Sequence, residues 1–217
     1  SNADGFVNIY SEYSDLQIWP RGYPLEKINP KVENERMMLP CKIGVWQGLA
    51  NLDPDVDAIN RLVLNYTDVI FSEGRYAIKN GNFCPFNSQN TTWDKEAFSL
   101  MYLPCTVPFR MTDILRSFVT QRILWELGLS LGFHEATVEQ ARNDHNLMSD
   151  FADEQSMYLD TEGIVAVLLK QELRHKNALE CLEKCYCALI QAGYVDEEEM
   201  EYLSCWIYDI EQMNFHS

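Results

Sequence analysis

The chain has 217 residues, 47 % of them hydrophobic, enough to bury the core of one ordinary domain. Its formal charge of −16 argues against a nucleic-acid surface, which needs clustered Lys and Arg, and equally against an anionic membrane face. No apolar run approaches the ~18 residues of a membrane span, the longest, Ile164 to Leu169, lying inside a helical pattern.

Ser1-Asn2-Ala3 reads as a scar of tag cleavage and is set aside. From Asp4 to about residue 155 the chain mixes strand-like runs, Pro and Gly turns and helices. Phe6 to Tyr10 reads as a strand, and Trp19-Pro-Arg-Gly-Tyr-Pro as extended or turn backbone forced by two prolines. Asn29 to Pro40 is charged and reads as a surface loop. Lys42 to Trp46 reads as a buried strand closed by Gly48. Leu52-Asp-Pro-Asp-Val-Asp reads as a turn feeding a helix to about Leu64. Thr67 to Phe71 and Tyr76 to Ile78 are expected to pair across Glu73-Gly74. Trp93 to Met101 reads as a short helix, Leu103 to Phe109 as a Pro-punctuated strand, and Leu129 to Val138 as another strand.

Between the last two lies the stretch on which the rest is built. Met111 to Gly128 has no internal Gly or Pro and makes about five helical turns. Met111, Ile114, Leu115, Phe118, Val119, Ile123 and Trp125 cover more than half of its cylinder, which places the helix inside the domain. A narrow polar strip carries Asp113, Arg116, Ser117 and Thr120. Arg122 and Glu126 fall on the apolar side at i and i+4, so they are expected to pair. From residue 156 to 217 the pattern is helical, with segments Glu162–Leu173, Ala178–Ala192 and Glu197–Met213. Gly193 stands where a C-cap glycine belongs, and Asp196 is expected to cap the last helix.

Seven cysteines without framework spacing read as free thiols, which favour a reducing, cytoplasmic compartment. Cys181, Cys185 and Cys187 lie in a helical pattern without partners at zinc spacing and read as ordinary buried cysteines. The sequons at Asn65 and Asn90 count only in a secretory lumen.

Asp53, Asp55 and Asp57 alternate in a turn, either as carboxylates for a divalent cation or as helix-capping acids; the calcium-loop pattern is absent. Asp113 opens the central helix and has the same capping alternative. Arg21 sits on a rigid loop between Trp19 and Tyr23, suited to phosphate or carboxylate recognition or to a stapling salt bridge. The amides of Asn87 and Asn90 suit sugar hydroxyls or a buried turn. His134, His145 and His175 have no convincing Cys or Ser partner.

WPRGYPLEKI, GLANLDPDVDAI, PFNSQNTTW and TDILRSFVTQRILWELG, in this order, resemble the plant STELLO glycosyltransferase-like proteins over nearly the whole chain. More distantly, the same positions are similar to reversibly glycosylated polypeptides, the UDP-arabinopyranose mutases. The RGYP of those mutases would fall on Arg21 to Pro24, their acidic turn on Asp55 to Ala58, and their Asp-bearing segment on Asp113. Arg21 then matches their self-glycosylated arginine.

The resemblance implies an α/β fold: the acceptor half of a GT-A-like nucleotide-sugar transferase domain over residues 4–155, with a helical subdomain over 156–217. It implies a UDP-sugar partner and Mn2+ or Mg2+ in the full-length protein. No Asp-x-Asp pair precedes Trp19, so the chain is expected to be a fragment that does not hold the metal alone. Asp113 and Arg21 are the expected catalytic residues; Trp19, Tyr23, Asp55, Asp57, Asn87, Asn90 and Arg116 would line the substrate site. The alternative is a non-catalytic scaffold or carbohydrate-binding module working through a protein partner or a homo-oligomer, as STELLO proteins support cellulose synthase assembly. Family resemblance points to the Golgi lumen.

Overall fold

In the computed structural model, residues 5–28, 40–64, 66–141, 146–174 and 176–213 are described. The loop expected at Asn29 to Pro40 lies, Pro40 apart, outside them, as do His145, His175 and the sequon Asn65.

Strand β1 (Lys42–Leu52) buries Val45 and Leu49 on the face that meets the core. It runs well past Gly48, where the sequence pattern places its end. That glycine permits a close approach: its N–H donates to the Asn90 carbonyl at 2.7 Å, and a Cβ there would sit 2.6 Å from the His134 ring. Helix α1 (Ala58–Val63) follows the acidic turn, with Asp57 as its N-cap accepting from Asn60 N at 2.8 Å. Strands β2 (Arg75–Ala77), β3 (Thr91–Trp93) and β4 (Leu129–Gln140) complete a sheet of order β2-β4-β1-β3, in which β1 and β4 are parallel and both flanking pairs antiparallel.

Two expected strands and one expected pairing do not form, each for a local reason. Phe6 makes one bridge, to Phe83, after which Asn8 caps a 3-10 turn at Ile9–Glu12 by accepting from Tyr10 N, drawing the backbone away from a ladder. Residues 67–71 and 76–78 do not form a hairpin, because Val69 pairs with Leu52 while β2 pairs with β4. Leu103 to Phe109 joins no ladder: Pro104 and Pro108 lack donors, and Cys105 N and Thr106 N turn to the Glu199 carboxylate instead. The helix expected at Trp93 to Met101 is a strand end followed by a 3-10 helix, Lys95–Met101.

Helix α2 (Thr112–Glu126) is buried continuously from Ile114 to Leu124. It packs on β4 and on the helices that follow: α3 (Leu147–Asp153) is offset, while α4 (Gln155–Leu169) and α5 (Ala178–Gln191) lie against it. Arg122 meets Glu126 at 2.8 Å, the pair read from the sequence, and also donates to the Leu168 and Gln171 carbonyls at the end of α4. A cation placed there satisfies orphan carbonyls and the negative helix terminus. Cys181 and Cys185 are buried and Cys187 half-buried, all seven cysteines being free thiols. Gly193 takes φ +79° after α5, as a C-cap glycine does.

The last helix, α6 (Glu199–Gln212), has no side-chain cap, and Asp196 contributes its carbonyl to Glu199 N rather than a capping side chain. Glu199 itself points inward with no exposure. It accepts from Tyr102 OH, from Cys105 N, and from both N and Oγ1 of Thr106, so α6 holds the Pro-rich loop by one carboxylate. The buried apolar residues form one cluster from Phe6 to Leu203, shared by the sheet and the C-terminal helices. Glu199→Ala leaves several buried donors without an acceptor and is expected to cost about 3 kcal/mol. Urea unfolding of the variant measures it, and an unchanged midpoint removes Glu199 from this role.

Candidate functional site

The Trp19–Pro24 turn is bent back by the Tyr23 N to Pro20 O bond at 3.0 Å, with Gly22 at φ +90° pressed against Ile114 of α2. No other residue suits that φ and that contact. The bend carries Arg21, 6 % exposed, to the N-terminus of α2. There its Nε and Nη2 grip both oxygens of Asp55 at 2.9 and 3.0 Å, and Nη2 also meets both oxygens of Asp113, at 3.1 and 3.0 Å. Nη1 donates to the Arg110 carbonyl. A backbone bond zips the two loops together, Arg21 N donating to Asp55 O at 3.1 Å, and the Tyr10 hydroxyl donates to the same carbonyl at 3.2 Å.

Burial alone would strip Arg21 of its proton more easily, but the two carboxylates outweigh it and raise its pKa. Burial likewise pulls Asp55 upward. The guanidinium beside it, with Arg110 and a hydrogen bond from Asn87, prevails and holds Asp55 below the ordinary carboxylate range.

The amide-rich segment closes the other side. Ser88 N donates to Asp113 Oδ2 at 3.2 Å, and Asn87 is fixed by its N–H on Gln47 Oε1 at 3.1 Å. Arg116, one helical turn after Asp113, is buried over the Trp93 ring at 5.1 Å and the Phe86 ring at 5.8 Å. Its Nη2 donates to Ser88 Oγ at 2.9 Å, while its Nε–H is buried without a hydrogen-bond partner among the described residues. Burial lowers its pKa, against the pull of Asp113.

Arg21, Asp55, Asn87, Asp113 and Arg116 therefore meet. Trp19 and Asp57 form the flank: the indole N–H donates to Asp57 Oδ2 while Asp57 caps α1. Tyr23 is buried beside Phe6. Asn90 serves the sheet, donating to the Leu49 carbonyl at 3.0 Å and to Thr137 Oγ1 at 2.9 Å. Asp53 pairs with Arg61. The sequence pattern gave no sign of Glu154, which has no exposure, pairs with Arg110 and accepts from Ala58 N at 2.8 Å. Tyr158, one turn on, also donates to it, but Arg110 and Ala58 lie more than forty residues away, beyond any local periodicity.

No group of three or more His, Cys, Asp or Glu is arranged to hold a metal ion among the described residues. The acid pair nearest to that role, Asp55 and Asp113, already encloses a guanidinium. These residues do not fit a divalent cation.

Residues 110–217, the half of the chain that carries Arg110, Asp113, Arg116 and Glu154, match the family model described as STELLO glycosyltransferases. Over 213 residues the chain is 27 % identical to each of two Arabidopsis thaliana proteins, "Probable glycosyltransferase STELLO1" and "Probable glycosyltransferase STELLO2". Each alignment covers 94 % of this chain, and 27 % and 28 % of the respective relative. The chain thus spans little more than a quarter of the length of the curated relatives it matches.

Two outcomes follow from this geometry. Arg21→Lys keeps the charge but cannot span two carboxylates and a carbonyl, so unfolding stability is expected to fall by about 3 kcal/mol. A melting temperature within a degree of wild type removes the staple role. The second concerns Asp57, which burial lifts from 3.8 to about 6 despite the bonds from Asn60 N and Trp19. Between those values the folded state keeps a proton that the unfolded chain has released. This contribution is therefore favourable at low pH, is lost as pH rises from about 4 to 6, and is flat above. The loss is on the order of 3 kcal/mol, and Asp57→Asn is expected to abolish it. Wild-type and variant stabilities that track each other across that window overturn the assignment.

Proposed function

We propose that this chain, a member of a STELLO-like glycosyltransferase family, supplies the acceptor side of a site that works on a nucleotide sugar, most simply a UDP-sugar in a GT-A-type arrangement. The observation that supports this reading is the convergence of Asp113, Asp55, Arg21, Asn87 and Arg116 at the start of the buried helix α2. Asp113, its side chain 14 % exposed, opens helix α2 and is held in one orientation by Arg21 and by Ser88 N. In this reading it receives the proton of an acceptor hydroxyl as a general base. Arg21 and Asp55 are positioning residues, since the three guanidinium nitrogens are already bonded to protein acceptors. Trp19, Tyr23 and Asp57 back the loop that carries them. A cation accompanying the sugar diphosphate, Mn2+ or Mg2+, would be held by donors other than these.

The second reading is a non-catalytic carbohydrate-binding or scaffold module working through a protein partner. It is favoured by one feature: the acid pair that could have served chemistry is filled by Arg21. Turnover of radiolabelled UDP-sugars by the protein carrying this chain separates the two. Asp113→Asn is expected to lower kcat/KM roughly ten- to a hundredfold, about 1.5–3 kcal/mol in the transition state, with KM little changed. A folded variant with full turnover removes Asp113 as the base. Absence of any turnover in the wild-type protein favours the module.

A further inference from the structure

The sheet face turned away from α2 carries two rings, each laid over a glycine of the neighbouring strand. Trp46 on β1 stands opposite Gly132 on β4, where a Cβ would come within 2.7 Å of the indole Cε3 and Cζ3. His134 on β4 stands opposite Gly48 on β1, where a Cβ would come within 2.6 Å of Cε1. The ring centroids are 6.0 Å apart. The same two rows continue to Thr92 on β3 and Arg75 on β2, so all four strands contribute one side chain to an open groove of about 220 Å³.

The chemistry of that groove is specific. Trp46 is half-buried: one face of the indole rests on glycine backbone and the other faces the groove. His134 Nδ1 lies 2.8 Å from the Glu135 carbonyl. A carbonyl only accepts, so Nδ1 carries the hydrogen and the Nε2 of the neutral ring is an acceptor. Arg75 and the Thr92 hydroxyl supply donors, His134 Nε2 supplies an acceptor, and the Glu135 carboxylate, 3.7 Å from Arg75, offsets its charge. The result is a flat apolar ring rimmed by near-neutral donors and acceptors.

We propose that this face binds a neutral pyranose ring of a β-linked glycan. Such a ring, with its substituents equatorial, presents a flat C–H face to an aromatic ring and a rim of hydroxyls that both donate and accept. A nucleotide also stacks on an indole, but its phosphates need uncompensated positive charge. Arg75 is offset by Glu135 in a chain of net charge −16. The groove is separate from the Asp113 cluster: Gln47, between Trp46 and Gly48 in the strand, points to the opposite face, where its Oε1 accepts from Asn87 N. Binding here stands whether or not the protein transfers sugar.

The test is isothermal titration of the 217-residue chain with β-1,4-linked glucose and xylose hexamers, with α-1,4-linked maltohexaose and with UDP. The β-linked hexamers are expected to bind, maltohexaose at least tenfold more weakly, and UDP not at this site. Trp46→Ala is expected to weaken the β-linked hexamers at least tenfold and Arg75→Ala severalfold. Arg75 is largely exposed, so its variant keeps the assay decisive even if Trp46→Ala fails to fold. No heat with either β-linked hexamer at ~10 mM, where a millimolar site would be saturated, overturns the proposal. So does undiminished binding by the folded variants, or a UDP signal lost in Arg75→Ala without one from the sugars.

Discussion

A helix buried on nearly all sides must find a partner for every polar group it carries, because each one left unsatisfied costs about 1–3 kcal/mol. Helix α2 carries many, and several reach different parts of the chain, while Ser117 bonds back to the Ile114 carbonyl and the Arg116 Nε–H has no partner among the described residues. Asp113 holds the Arg21 loop, and Arg116 the Ser88 turn. Thr120 donates to the Leu100 carbonyl, Gln121 accepts from Cys84 N, and Arg122 closes the end of α4. These bonds fix where the irregular segments run. Much of the N-terminal chain has little regular structure of its own, and its path is set by what α2 requires of it.

The acidic turn shows how partner, not residue type, decides what a carboxylate does. Asp55 and Asp57 are two residues apart, yet their pKa values move in opposite directions. Asp55 faces the Arg21 guanidinium, which outweighs burial and holds its pKa below the ordinary carboxylate value. Asp57 is lifted by burial, with Glu154 adding like charge, and its neutral donors, Asn60 N and the Trp19 indole, are too weak to reverse it. Nothing in DPDVD distinguishes them, because the distinction is made by Arg21, thirty-four residues earlier.

What could be read from the sequence was what depends on local period: α2 and its Arg122–Glu126 pair, the turn into α1, β4 and the C-terminal helices. The WPRG loop was legible as rigid, and the meeting of Arg21 with an acid was among its two readings. What stayed hidden was set by distant partners. Gly48 looks like a strand terminator until Asn90 and His134 are seen against it. Leu103 to Phe109 looks like a strand until the Glu199 carboxylate, more than ninety residues on, takes its N–H groups. The sheet-face groove has no linear signature, since its four side chains come from four strands.

Under the proposed transfer reaction, the charge balance at α2 also bears on which side this cluster would serve. Two carboxylates and Arg21 leave one net negative charge, and Arg116 offsets it from a buried position with one N–H unpartnered. A sugar diphosphate brought there would meet the Asp113 and Asp55 carboxylates, with Arg21 saturated between them. A neutral hydroxyl meets no such repulsion and can donate to Asp113 without disturbing the guanidinium. Electrostatics thus favour the acceptor over the donor at this end of α2. An uncharged glycan, such as would stack on Trp46, fits the same near-neutral character on the opposite face of β1.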